Sequence, residues 1–130
     1  MNFMNKVVWI TGASSGIGKS LALELSKQQT KLILSSRNET ALLKVKNECE
    51  NPESVKIIPL DLEDYTHFNL KVTEALNLFG SIDVLINNAG ISQRSFVKDT
   101  LITVDKRIMD INYLGTIALT KALLPYFITK

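Results

Sequence analysis

The chain has little with which to bind a metal or crosslink itself. Its 130 residues contain one cysteine, Cys49, and one histidine, His67. A lone cysteine excludes an internal disulfide, and no ligand partner stands at metal-site spacing around it. Cys49 is read as a structural thiol on a helix, in a protein of a reducing compartment. Net charge is also scarce: 15 Lys and Arg against 13 Asp and Glu leave +2. That is too little to imply a nucleic-acid or acidic-membrane surface. No apolar run approaches the roughly 18 residues of a bilayer span. Met1 to Asn5 is too short and too polar for a signal peptide. The cytoplasm is the expected location, with no membrane segment and no nucleic-acid partner. Linkers, internal repeats and low-complexity tracts are absent. What remains is 45% hydrophobic, which is ordinary for one globular domain able to bury a core.

Against this background the stretch Val7-Val8-Trp9-Ile10-Thr11-Gly12-Ala13-Ser14-Ser15-Gly16-Ile17-Gly18 stands out. Its apolar start reads as a strand buried on both faces. Three glycines follow at once. From Lys19 to Gln28, Leu21, Ala22 and Leu25 repeat with helical spacing. Strand, glycine-rich turn and helix in that order bring free amide groups and the positive end of a helix dipole to one point, which suits phosphate. Gly12 permits the tight turn, Gly16 lets backbone approach a pyrophosphate, and Gly18 lets the helix pack on the sheet. Gly-x-x-x-Gly-x-Gly alone remains a weak signal, because glycine-rich turns also occur without a ligand.

The rest of the chain alternates strand and helix. Strands are expected at Lys31–Ser35, Val55–Leu60 and Ile82–Asn87, and helices at Asn38–Glu50 and Asp64–Phe79. Asn51-Pro52 ends the first of these helices, and Gly80 is the expected C′ residue of the second. A polar loop over Ile91–Thr100 leads to a long helix from Thr103, its N-cap, to Leu124, with Pro125 near its end. Unbroken alternation predicts an α/β, doubly wound, Rossmann-like parallel sheet of strand order 3-2-1-4. Ligands of such sheets bind beyond the strands' carboxyl ends, where the order reverses. Thr11-Gly12 and Asn87-Asn88-Ala89-Gly90 fall there.

Taken together, these motifs resemble the short-chain dehydrogenase/reductase family. Thr11, Gly12, Ser14, Ser15, Gly16, Ile17 and Gly18 belong to what looks like its cofactor loop. Asp61 and Leu62 look like its adenine-contacting pair. Asn87, Ala89 and Gly90 look like its turn after the fourth strand, and Asn112 like its active-site asparagine. Singly, each also has a plainer reading: Asp61 as a turn residue, Asn87 and Asn88 as turn backbone partners, Asn112 as a solvent-facing helix residue. Ile91-Ser92-Gln93-Arg94-Ser95 further resembles the branch with membrane-associated dehydrogenase/reductase and hydroxysteroid-dehydrogenase-like enzymes. The resemblance covers essentially the whole chain. It implies hydride transfer between a nicotinamide cofactor and a small carbonyl or alcohol substrate. It also implies a homo-oligomer for the full-length protein, since the helix from Thr103 resembles one that pairs subunits in the family.

An acid about 20 residues after the glycine loop would bind the ribose 2′-hydroxyl of NAD. Here Ser35-Ser36-Arg37 occupies that place, and no carboxylate follows until Glu39. Arg37 with the Ser36 hydroxyl instead suits a 2′-phosphate, so NADP(H) is expected over NAD(H).

The family's catalytic serine and Tyr-x-x-x-Lys pair lie on a fifth strand and the helix after it, and the chain stops before them. The segment 1–130 is therefore expected to be a dinucleotide-binding domain incomplete at its C-terminus, a fragment inactive alone and marginally stable or self-associating. Tyr126 and Lys130 match the Tyr-x-x-x-Lys spacing. At 1.5 Å per residue, however, Tyr126 stands about 21 Å beyond Asn112, toward the opposite sheet edge. Both are read as an ordinary helix end. The competing reading of the whole chain is a catalytically inactive dinucleotide-binding module that acts by interaction or as a cofactor sensor.

Overall fold

A computed structural model describes residues 2–130. Four parallel strands form one sheet in the order β3-β2-β1-β4: β1 Val7–Thr11, β2 Lys31–Ser35, β3 Val55–Ile57 and β4 Val84–Ile86. The register sets Thr11 opposite Ser35, and Ile10 opposite Ile86. The carboxyl ends of β1, β2 and β4 therefore share one edge.

Side chains alternate across this sheet, as strand geometry requires. Val8 and Ile10 face one layer, together with Leu32 and Leu34. That layer is covered by α1 (Gly16–Ser26) through Ala22 and Leu25, and by α2 (Glu39–Glu48) through Leu42 and Val45. Val7, Trp9 and Ile33 face the other layer. There α3 (Phe68–Phe79) contributes Phe68, Val72 and Ala75, and α5 (Thr116–Thr129) contributes Leu119 and Leu123. The one polar group of Trp9 is satisfied, its indole N–H donating to Ser35 Oγ at 2.9 Å. Helices on both faces of an all-parallel sheet are the expected doubly wound architecture.

Several boundaries differ from the sequence reading. The third and fourth strands are only three residues long, although beyond β3 Ile58 N still donates to Leu34 O and Leu60 N to Ser36 O. A 3₁₀ turn at Tyr65–His67, led by Asp64, precedes α3, so that helix begins at Phe68. Cys49 lies just past α2, in extended conformation and buried. Pro52 starts a short 3₁₀ turn. Gly80 ends α3 in the left-handed conformation (φ 82°), as its position predicted.

The largest revision concerns the long helix. It begins as α4 at Ile102–Met109 with Leu101, not Thr103, at the N-cap. It widens into a π-helical turn at Asp110–Gly115 and continues as α5. Pro125 lies inside α5 and does not end it, since it removes only one ladder donor, to the carbonyl of exposed Lys121. This continuous 28-residue helical stretch, Ile102–Thr129, is long and apolar enough by length and composition to cross a membrane. That corrects the view that no such segment exists. In the fold it lies along the sheet, with Ile111, Leu119 and Leu123 buried in the core.

Candidate functional site

A cleft of about 480 Å³ opens at the carboxyl edge, between the turns that follow β1 and β4. Its floor is the glycine loop. Gly12 has φ 63°, and a Cβ there would lie 2.7 Å from Ala89 Cα. Gly18 allows a still closer approach, as its Cβ would stand 2.1 Å from the Gly12 carbonyl oxygen. Gly16 has φ 55° and open space where a Cβ would be. The three glycines thus divide the work. Two admit protein backbone, and one leaves room for something else.

The helix behind the loop is prepared for an anion. Ser15, its N-cap residue, makes no side-chain capping bond, and no acid stands in the first turn of α1. Its leading amides are left without those partners, at the positive end of an 11-residue dipole. α2 is built differently: Asn38 Oδ1 accepts from Ala41 N at 3.0 Å, and Glu39 supplies a first-turn charge.

Thr11 holds the two turns together. It is 2% exposed. Its hydroxyl accepts from Asn88 N and Ala89 N, both at 3.1 Å, and donates to Ile86 O at 3.4 Å. Asn88 Nδ2 donates back to Gly12 O at 3.1 Å. Further along the cleft, Ser36 O accepts from Leu60 N at 2.9 Å. The Ser36 hydroxyl accepts from Asn38 N at 3.1 Å. These bonds pin the backbone around Arg37, whose side chain is exposed and makes no ion pair among the described residues. On the neighbouring segment Asp61 Oδ1 accepts from Glu63 N at 2.9 Å.

Asn112 projects from the π turn and grips both backbone polar groups of one residue, Ile91. Its Oδ1 accepts from Ile91 N at 2.8 Å, and its Nδ2 donates to Ile91 O at 2.6 Å. Gly115, one turn on, packs against the Asp61-Leu62 segment so closely that a Cβ would lie 2.2 Å from Leu62 O. Local widening of a helix is a common device at functional sites. Here it presents Asn112 to the β4 turn and Gly115 to the β3 loop from a single segment.

Sequence profiles give this geometry a family. The family described as short chain dehydrogenase matches residues 6–130. The chain belongs to the short-chain dehydrogenase/reductase family. Human "Dehydrogenase/reductase SDR family member 7" is 45% identical over 129 residues, covering 95% of this chain and 38% of that protein. Mouse "Dehydrogenase/reductase SDR family member 7B" is 40% identical over 131 residues, covering 97% and 41%. The crystal structure of a short chain dehydrogenase from Bacillus anthracis superposes with a TM-score of 0.92 at 27% identity, over 99% of this chain and 52% of that one. A short-chain dehydrogenase from Streptomyces avermitilis gives 0.87 at 30% identity, over 98% and 46%. The chain thus spans about two-fifths of the length of the curated relatives it matches.

Family members are oxidoreductases that use a nicotinamide cofactor, and the cleft is where the dehydrogenase fold offers room for one. Of the residues predicted from sequence, Gly12, Ser14, Ser15 and Ile17 line it, as do Ser36, Arg37, Asp61, Leu62, Ala89 and Gly90. Thr11, Gly16, Gly18, Asn87 and Asn112 do not. Thr11 and Gly18 are used up in joining the turns, and Asn112 in gripping Ile91. Asn87 turns away, its Nδ2 donating to Thr120 Oγ1 on α5 at 3.1 Å. Asn88 takes the place expected for it. Asn38, Leu60, Ile91 and Ile111 also line the cleft and were not foreseen. Each of the four adjoins a predicted residue (Arg37, Asp61, Gly90 and Asn112 respectively), so a one-residue margin would have included them all.

The Tyr126–Lys130 pair is remote from the cleft. Lys130 Nζ donates to Asp83 Oδ1 at 2.6 Å, and Asp83 Oδ2 accepts from Val7 N, at the amino end of β1. The two bonds, that to Lys130 foremost, hold the Asp83 carboxyl below its ordinary pKa, and the same contact raises that of Lys130. Both groups therefore stay charged as a structural tie at the amino edge. Cys49 is equally uninvolved: burial pushes its thiol pKa up, and no cluster of three metal-ligating side chains exists among the described residues.

Proposed function

We propose that this segment binds NADP(H) for an oxidoreductase that moves hydride between the nicotinamide and a small carbonyl or alcohol substrate. The coenzyme preference rests on one observation. Arg37 stands unpaired in the cleft wall, on a pinned backbone after β2, where a carboxylate would be needed to favour the 2′-hydroxyl of NAD. A forked guanidinium suits a phosphate. The diphosphate would rest on the uncapped start of α1, and the adenine against Asp61 and Leu62. Ser36 contributes less than its position suggests, because its hydroxyl is already bonded to Asn38.

Hydride transfer to a carbonyl leaves an oxyanion that needs a proton. In the family a tyrosine and a lysine handle that proton, and in this reading they come from elsewhere in the full protein. Tyr126 and Lys130 are too far away and otherwise engaged. Within the segment, Asn112 acts as a positioning residue that fixes the Ile91 backbone beside the cleft. The reading extends to a homo-oligomer and to a reducing, cytoplasmic compartment, the latter supported by the buried, unpaired Cys49 thiol.

The test is a titration of NADPH and NADH into the wild-type protein and Arg37→Ala. A charge-assisted hydrogen bond is worth about 1.5–3 kcal/mol, so the variant is expected to lose about tenfold to a hundredfold in NADPH affinity and little for NADH. Equal NADPH affinity in the two proteins overturns the coenzyme assignment.

A further inference from the structure

The turn that carries Asp61 and Leu62 has little to hold it. Just before it, Leu60 N donates to Ser36 O at 2.9 Å. Just after it, Phe68 is buried in the core. Between them, from 61 to 67, Leu62 alone is buried, its backbone close against Gly115. The turn's remaining polar contacts are mostly its own. Asp61 Oδ1 accepts from Glu63 N at 2.9 Å, and Asp61 O accepts from Asp64 N at 3.1 Å.

One bond leaves it. Arg107 Nε, on α4, donates to Glu63 Oε2 at 3.3 Å, across 44 residues of sequence. Among the described residues this is the only hydrogen bond or ion pair between residues 61–64 and any residue distant in sequence. The neighbouring cation is engaged elsewhere: Lys106 Nζ donates to Asp110 Oδ2, in the π turn, at 2.5 Å. Glu63 thus gives its carboxylate to Arg107 and its amide to the Asp61 carboxylate. A continuous chain of bonds runs from α4 to a residue that lines the cleft.

We infer that Arg107 is a positioning residue for the coenzyme cleft: through Glu63 it holds the Asp61-Leu62 turn in the conformation against which the base lies. This rests on the reading above that sets the adenine there. A wall already ordered in the free protein spares the ligand the cost of ordering it. The Arg107 and Glu63 side chains are 43% and 39% exposed. Exposed pairs are modest, so losing this one is expected to weaken adenine-nucleotide binding about twofold to fivefold.

The experiment titrates ADP and inorganic pyrophosphate, which lacks the base, into wild-type protein, Arg107→Met, Glu63→Met and the double variant. Methionine keeps the length of both side chains, and neither is in the core, so the variants are expected to fold. The sign of the effect separates positioning from charge. Acting on an anion only through its field, Arg107→Met would weaken binding and Glu63→Met would strengthen it. Positioning predicts that both weaken ADP about twofold to fivefold, that the double variant loses no more than the larger single loss, and that pyrophosphate affinity is unchanged. Unchanged ADP affinity, effects of opposite sign, additive losses, or a parallel fall for pyrophosphate each overturn the inference. If wild-type protein binds ADP no more tightly than pyrophosphate, the adenine reading fails and takes the inference with it. A failure of the variants alone, with ADP favoured in the wild type, leaves that reading standing.

Discussion

At the residue scale, Gly18 and Thr11 show how a glycine loop is held in shape by residues that do not line the cleft. Gly18 is not in the left-handed region; it is glycine because Gly12 O occupies the place of a Cβ. Gly18→Ala must displace backbone, not a flexible side-chain tip. Its expected cost is about 3 kcal/mol, the upper end of overpacking effects, measured by chemical denaturation, with ADP affinity falling in parallel. An unchanged denaturation midpoint would contradict the packing argument. These roles were legible in part. The glycine spacing pointed to a cramped turn, but nothing in a one-dimensional pattern separates a residue that lines a cleft from one that props it. Asn87 and Asn88 make the same point, since which of the two faces the cleft depends on how the turn after β4 meets Thr11.

At the element scale, the helical stretch from Ile102 to Thr129 carries the most information missing from the sequence. Apolar periodicity announced a helix, but the period shifts by one residue through a π turn, and simple 3.6-residue counting cannot see this. The shift lets Asn112 reach Ile91 while Gly115 meets Leu62. Gly115→Ala is therefore expected to push the helix away from the Asp61-Leu62 loop. The predicted signs are a loss of about 1–3 kcal/mol in stability and weaker binding of ADP, read by denaturation and by titration. Binding unchanged at reduced stability would mean that the helix and the Asp61-Leu62 wall are independent. The short strands were legible in position but not in length: past Ile57 the pairing with the β2 segment persists only as the separate Ile58–Leu34 and Leu60–Ser36 bonds.

At the scale of the whole molecule, strand order, two-faced core and the carboxyl-edge location all followed from the alternation of strand and helix patterns, since right-handed crossovers leave few other topologies. The amino edge was less legible. There Asp83 ties β1, β4 and α5 together through Val7 N and Lys130 Nζ. Its carboxyl pKa is lowered on folding, so this tie stabilises the fold above the unfolded carboxylate value of about 4 and is lost as pH falls below it toward the folded value. Asp83→Ala is expected to cost about 1 kcal/mol near neutral pH, reduced from the charged hydrogen-bond range for its partial exposure. That gap should close in acid. A gap that stays constant from neutral pH down to about 3 would mean that the charge does not contribute.

The central claim is that the carboxyl-edge cleft takes a 2′-phosphorylated nicotinamide dinucleotide. Titration calorimetry of folded protein with NADPH and then NADH tests it most directly. Saturable binding of NADPH at one site per chain, tighter than NADH, is the predicted result; folded protein that takes up neither coenzyme would contradict the account.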